Sequence, residues 1–193
     1  MKNFVIRKAT EEDRFQISLV IAYGFEKDFA FLNKDMNKIA KAIQNGIHID
    51  KFYVAVLEDA IIGVTACTDC YGRAIDIDKK AYRKYFGIIK GLIATKVMKE
   101  EFMKPLNYSE TTGYIECATV DISHRRKGIA EAMINYILKN LKYNEYVLDV
   151  TDINNSAIRC YEKIGFEEFE RIKEKYGKQK GFNEKKYMKY KKY

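Results

Sequence analysis

Between Gly113 and Val150 the chain passes once from strand to helix and back to strand. Gly113–Val120 is an apolar run of strand character. Arg126–Leu141 places apolar residues at 129, 130, 133, 134, 137, 138 and 141, the spacing of a helix with one buried face. Tyr146–Val150 is again a strand. A helix striped in this way must lay its apolar side on a sheet, so this β-α-β unit commits the chain to a layered α/β or mixed α+β architecture.

The flanking sequence extends the same sheet. Phe4–Lys8 reads as a first strand. Thr10-Glu11-Glu12-Asp13 has the pattern of a capping box and opens a helix whose core candidates are Phe15, Ile17, Leu19, Val20 and Ile21. A second helix is expected over about 33–44, ended by Gly46. Phe52–Leu57 and Ile61–Thr68 read as a hairpin with Gly63 inside it. From Asp78 to Met103 apolar residues again fall at helical spacing, and Gly87 and Gly91 permit either close helix packing or a break into two helices. Ser156–Lys163 is expected to be a short helix ended by Gly165, followed by strands over 166–173 and 185–191. With a single proline and no linker-like tract, residues 1–193 are expected to form one domain, of which 71–110 is a helical insertion.

Composition limits the function classes. The polar residues of the Met-Lys-Asn-Phe-Val-Ile-Arg start argue against a signal peptide. The longest apolar stretch, Phe86–Met98, is interrupted by Lys90 and Lys96 and is too short to span a bilayer. The expectation is a cytoplasmic chain without a membrane partner. Cys67 and Cys70 form a lone C-x-x-C with no second pair, and His48 and His124 stand apart, so no metal is expected and the cysteines read as reduced core side chains. Ten Lys/Arg and two acids fall between Arg171 and Tyr193, which accounts for the whole net charge of +8. This tail reads as a solvated edge hairpin whose lysines deter strand-to-strand aggregation. Contact with nucleic acid is the minority reading.

The junction between the strand ending near Val120 and the following helix carries the chemistry. There the chain presents Arg125, Arg126 and Lys127, then Gly128-Ile129-Ala130. The first backbone N–H groups of a helix have no intrahelical partner and sit at the positive end of its dipole. An anion is therefore favoured there, and Gly128 lets it approach the backbone. No P-loop and no G-x-G-x-x-G fingerprint is present. The turn by itself is equally a solvated basic turn.

The run Ala118-Thr119-Val120-Asp121-Ile122-Ser123-His124-Arg125-Arg126-Lys127-Gly128-Ile129-Ala130 resembles the acetyl-CoA motif of the GNAT N-acetyltransferase superfamily, whose core is Arg/Gln-x-x-Gly-x-Gly/Ala. Further on, Asn154-Asn155-Ser156-Ala157-Ile158-Arg159-Cys160-Tyr161-Glu162-Lys163-Ile164-Gly165-Phe166 resembles the second signature of that family. The opening Ile6–Asp13 is similar to the family's usual start. Ile122 replaces a frequent proline and Arg126 a frequent glycine, and 71–110 is longer than the usual link between the third and fourth strands.

The resemblance implies a mixed sheet of six to seven strands, splayed between the fourth and fifth. It implies direct transfer of an acetyl group from acetyl-CoA to an amine. Backbone groups of Ala118 and Val120 would pair with pantetheine, with the Val120 N–H polarising the thioester carbonyl. Arg125, Arg126, Lys127, Gly128, Ile129 and Ala130 would hold the pyrophosphate. Asn154 would contact the CoA arm or cap the short helix. Tyr161 would protonate the leaving thiolate. Glu116 stands four residues before Val120, so both face the same side unless the strand bulges, and it is the candidate base. The loop at 25–32 and the insertion would line the acceptor, with Asp28, Asp69 and Asp76 as candidate amine contacts or ordinary surface charges. The expected partners are acetyl-CoA and an amine acceptor; a homodimer is left open. The rival reading is a non-catalytic acyl-CoA sensor of the same fold, which would have no use for Tyr161 and Glu116.

Overall fold

Among the described residues, seven strands form one sheet: β1 (Val5–Lys8), β2 (Phe52–Leu57), β3 (Ala60–Thr68), β4 (Thr112–Val120), β5 (Glu145–Thr151), β6 (Glu167–Lys173) and β7 (Glu184–Lys191). Their spatial order is β1-β2-β3-β4-β5-β7-β6. The computed structural model describes residues 4–175 and 177–192, without the side chains of 178 and 179. Met1–Asn3 of the start, and Tyr176, Tyr193 and the Lys178 side chain of the basic tail, lie outside that description. Of the six neighbouring pairs, only β4–β5 is parallel. That pair is the β-α-β unit, and its crossover is the helix Ile129–Asn140 (called α6 in chain order below).

Helices cover both faces. On one face lie α1 (Arg14–Gly24), α2 (Glu26–Phe29) and α3 (Met36–Ile43), joined by the insertion helices α4 (Lys79–Phe86) and α5 (Ile88–Phe102). Ile17, Ile21, Ile39, Ile43, Tyr82, Ala94 and Met98 pack there on Val54, Val64 and Ala66. On the other face, Ile134 and Ile137 of α6 and Ile158 and Tyr161 of α7 (Asn155–Ile164) pack with Ile115, Tyr146 and Leu148. Each fully buried large aliphatic side chain contributes about 1.5–3 kcal/mol. A last short helix, α8 (Gly177–Lys180), links β6 to β7.

Local sequence explains where these elements start and stop. The Thr10 N–H donates to the Asp13 carboxylate at 2.8 Å, and Arg7 clamps the same carboxylate with two bonds of 2.6 and 2.9 Å. The capping box is thus tied to β1, although its first turn is 3-10 and α1 begins at Arg14. Phe15 departs from expectation: it is exposed, because α1 rests on the sheet through Ile17, Ile21 and Ala22. Both roles suggested for the insertion glycines occur. Gly87 adopts φ +81° and separates α4 from α5. Gly91 lies so close to the backbone of Tyr82 and Arg83 that a Cβ would come within 2.8 Å of each.

Two further expectations are corrected. The helix after β4 starts at Ile129 and not at Arg126, because Arg126 (φ +62°) and Gly128 (φ +78°) are left-handed. The C-terminal hairpin forms, but its lysine-rich strand is not the edge. β7 inserts between β5 and β6, and its lysines meet acids of the neighbouring strands, with Lys185 beside Asp149 at 3.2 Å and Lys186 beside Glu168 at 3.4 Å.

Candidate active site

The parallel pairing of β4 with β5 covers only Thr112–Tyr114 against Glu145–Val147. Past that point β4 stays on β3 as far as Val120, and β5 stays on β7 as far as Thr151. The two strands therefore diverge, leaving a wedge with the later β4 residues on one wall and Leu148–Thr151 on the other. A bulge sharpens the divergence. Val64 faces Thr119 and Ala66 faces Glu116, so two residues of β4, Cys117 and Ala118, answer one of β3, Thr65, with Cys117 at φ +56°.

That bulge corrects the side-chain geometry expected from simple alternation. Val120 packs against Ile129 and Met133 on the α6 face. Glu116 points to the opposite face, where it meets Thr68, Arg73 and Ala74. Its carboxylate is fully engaged: one oxygen accepts from Thr68 Oγ1 (2.8 Å) and the Ala74 N–H (3.0 Å), the other from Arg73 Nε (3.0 Å) and Nη2 (2.7 Å). Burial opposes the charge of Arg73, but the hydrogen bond and charge of Glu116 outweigh it and hold the guanidinium protonated.

At the mouth of the wedge the turn after β4 is built as a cradle. Asp121 accepts the Ser123 N–H at 3.0 Å and starts a 3-10 turn over Ile122–His124. Arg125 Nε donates to the Val120 carbonyl and Lys127 Nζ to the Ser123 carbonyl, both at 3.0 Å. Two of the three cations thus brace the turn, while Arg126 is exposed and makes no side-chain hydrogen bond among the described residues. Gly128 caps α6, and no atom lies within 4 Å of where its Cβ would be. The N–H groups of Ile129, Ala130 and Glu131 open α6 without helical partners. An open glycine, free helix N–H groups and an unengaged arginine fit a pyrophosphate, and the wedge beside Ala118 fits an extended arm.

The second motif lies across the wedge. Asn154 Oδ1 accepts the Ala157 N–H at 3.2 Å and so caps α7. Gly165, at φ +109°, closes the helix. Tyr161 is buried beside Phe166, at 6.1 Å between ring centroids, and its hydroxyl has no hydrogen bond among the described residues. Desolvation pushes its phenol well above the usual range, so it stays protonated and able to donate.

The face opposite α6 holds a polar cluster that the sequence did not announce. Arg73 lies over the Tyr114 ring at 5.2 Å and donates to the Lys104 carbonyl at 3.0 Å. The Tyr114 hydroxyl donates to Asp149, and Lys185 bridges Asp149 and Glu101. Lys180 joins Glu101 at 3.4 Å. Of the three candidate amine contacts, only Asp28 comes near this cluster. Its carboxyl is pushed up, first by desolvation and then by Glu101, against the pull of Lys185 and Lys180. Asp69 instead accepts from the Tyr143 hydroxyl at 2.8 Å, and Asp76 pairs with His48 at 3.0 Å. Strand alternation from Tyr114 to Glu116 was the one available signal for the cluster; Arg73 and Glu101 arrive from the insertion, whose path local sequence does not reveal.

The model of the Acetyltransferase (GNAT) family matches residues 23–166, most of the chain. The chain belongs to the GNAT acetyltransferase family. Acetyl-CoA is the cosubstrate of this family, and among the described residues no three His, Cys, Asp or Glu side chains gather as a metal-binding group. GNAT structures share the fold. An N-acetyltransferase from Staphylococcus aureus Mu50 superposes with a TM-score of 0.65 at 18% identity, covering 96% of this chain and 100% of that one. A ribosomal-protein-alanine N-acetyltransferase from Brucella melitensis gives 0.61 at 15%, covering 97% and 99%. A putative acetyltransferase from Salmonella typhimurium, solved with its cofactor acetyl-CoA, gives 0.60 at 13%, covering 98% and 94%. No curated protein matches the sequence. Within the GNAT frame, the wedge, the cradle and α7 lie in the order of the two sequence motifs.

Proposed function

We propose that the chain is an N-acetyltransferase that works as one cytoplasmic domain, moving the acetyl group of acetyl-CoA directly to a primary amine of a small molecule or protein in a ternary complex. The observation that carries this reading is the wedge between β4 and β5, with the Gly128 cradle at its mouth. When bound, acetyl-CoA supplies an activated acyl group and a thiolate leaving group. Arg125, Arg126, Lys127, Gly128, Ile129 and Ala130 form the pyrophosphate site, with Arg126 reaching the anion and the other two cations bracing the turn. Ala118 and Val120 offer backbone groups along the wedge, and the Val120 N–H polarises the carbonyl under attack. Asn154 sets α7 so that Tyr161 can hand its proton to the departing sulfur.

Glu116 is the proposed proton acceptor, reached through water. Its four donors favour a second role, in which Glu116 anchors Arg73 and with it the start of the insertion over the acceptor face. The two roles separate in Glu116→Gln: loss of a base changes the pH profile of kcat, whereas loss of an anchor lowers the unfolding midpoint.

A thiol-release assay with acetyl-CoA over amines and peptides tests the activity. Turnover on at least one amine is expected, together with a thermal shift on adding acetyl-CoA. Absence of any shift would sink the cosubstrate site; tight binding without turnover would favour the sensor.

A further inference from the structure

The insertion leaves an apolar stripe uncovered. α5 buries Gly91, Ala94, Thr95 and Met98 against the body. On its other side Ile88, Ile89, Leu92 and Ile93 are 73%, 78%, 46% and 58% exposed. Those positions fall on one face of a helix, so they form a contiguous strip rather than scattered surface apolar residues. The adjoining α4 turns Lys79, Lys80, Arg83 and Lys84 to solvent. Gly91 rests on the backbone of Tyr82 and Arg83, so the basic face and the apolar stripe lie side by side around Gly87. Lys90 and Lys96 flank the stripe, and no Asp or Glu occurs from Lys79 to Lys96. α3, packed on α4, adds exposed Lys38 and Lys41 and no acid.

We propose that the α4–α5 elbow docks on an anionic lipid bilayer, with the aliphatic stripe at the boundary of headgroups and acyl chains and the cations among the lipid phosphates. An apolar face rimmed by Lys and Arg is the pattern that lies in such an interface. A second copy of the chain fits worse, because joining two stripes would bring two sets of cations within about one Debye length, roughly 8 Å. Nucleic acid would meet the cations and leave the aliphatics in water. This surface contact is peripheral, needs no spanning helix, and goes beyond the sequence-based expectation of no membrane partner. The far end of α5 carries Glu101, so the acceptor-side cluster lies beyond the stripe, about 12 Å along the helix axis from Ile93 at 1.5 Å of rise per residue.

The sequence contains no tryptophan, so Ile89→Trp in the full chain gives a single reporter within the stripe. Its emission should shift to the blue with phosphatidylcholine vesicles containing phosphatidylglycerol, stay solvent-like with phosphatidylcholine alone, and revert at high salt. In co-sedimentation, the pair Ile88→Ser with Ile89→Ser and the pair Arg83→Glu with Lys84→Glu should each lower partitioning about tenfold or more, with the unfolding midpoint unchanged. Should either pair unfold the protein, the tryptophan reporter decides. Four results overturn the proposal: solvent-like emission on anionic vesicles, equal binding to neutral ones, a stripe-dependent doubling of mass in sedimentation equilibrium, or a blue shift with an acidic polypeptide and none with vesicles.

Discussion

Gly128 is where backbone conformation and ligand chemistry meet. Its φ of +78° lies in the left-handed region, and the space its Cβ would enter is open. Gly128→Ala should therefore cost about 1 kcal/mol in backbone strain, a loss of roughly 2–4 °C in a chain of this size. The methyl group would also stand in the proposed pyrophosphate site, so KM for acetyl-CoA should rise about tenfold in steady-state kinetics. Tyr161 makes the opposite case. Its hydroxyl has no hydrogen-bond partner among the described residues, so Tyr161→Phe should leave the unfolding midpoint and CoA affinity unchanged while kcat falls about a hundredfold, the scale of a general acid. Glu116→Gln keeps the shape but leaves the charge of buried Arg73 uncompensated. About 3 kcal/mol should be lost in urea unfolding, in the range for breaking a buried pair.

For the elements, the insertion offers the sharpest contrast. Gly87 and Gly91 are four residues apart, yet they act through different physics. A Cβ on Gly87 meets nothing within 4 Å among the described residues, so Gly87→Ala is opposed by its backbone alone, whose φ of +81° with ψ 169° is nearly reserved for glycine and costs about 1–3 kcal/mol. A Cβ on Gly91 meets the backbone of α4 at 2.8 Å, which cannot rotate away. Gly91→Ala must push α4 off α5 and should cost about 2–3 kcal/mol as overpacking. Urea unfolding of Gly91→Ala checks this, and an unchanged midpoint would show that α4 and α5 do not rely on that close crossing.

For the whole molecule, ion pairs tie elements together, neighbouring ones through Arg7–Asp13 and distant ones through Glu101 with Lys180 and Lys185, and their response to acid follows from their sign. The Asp13 carboxyl is held below its usual 3.8, chiefly by its hydrogen bonds from Arg7. Burial alone would raise Glu101, but Lys185 and Lys180 hold it below its usual 4.5. A depressed folded-state pKa adds stability that is complete above the unfolded value and is lost as pH falls through the folded one. The unfolding midpoint should therefore be level above about pH 5 and fall progressively below about 4.5. Asp13→Asn should lower the plateau and flatten that fall; an unaltered slope would exclude Arg7–Asp13 as a source of acid sensitivity.

Periodic and local features follow from the sequence alone. These are the β-α-β unit, the capping box at Thr10, the cap at Asn154, the stop at Gly165 and the glycine at 128 that opens the helix after β4. Each depends on residues within one or two turns of each other, where side-chain spacing and allowed φ leave few alternatives. Tertiary structure decided what depends on strands meeting at a distance. The bulge at Cys117 sent Glu116 to the face away from Val120. The path of the insertion brought Arg73 to Glu116 and Glu101 to Lys185. Insertion of β7 between β5 and β6 turned a basic tail into an inner strand paired with acids. Such outcomes follow from long-range register and burial, and no local window of sequence carries the energy of a contact with a partner tens of residues away.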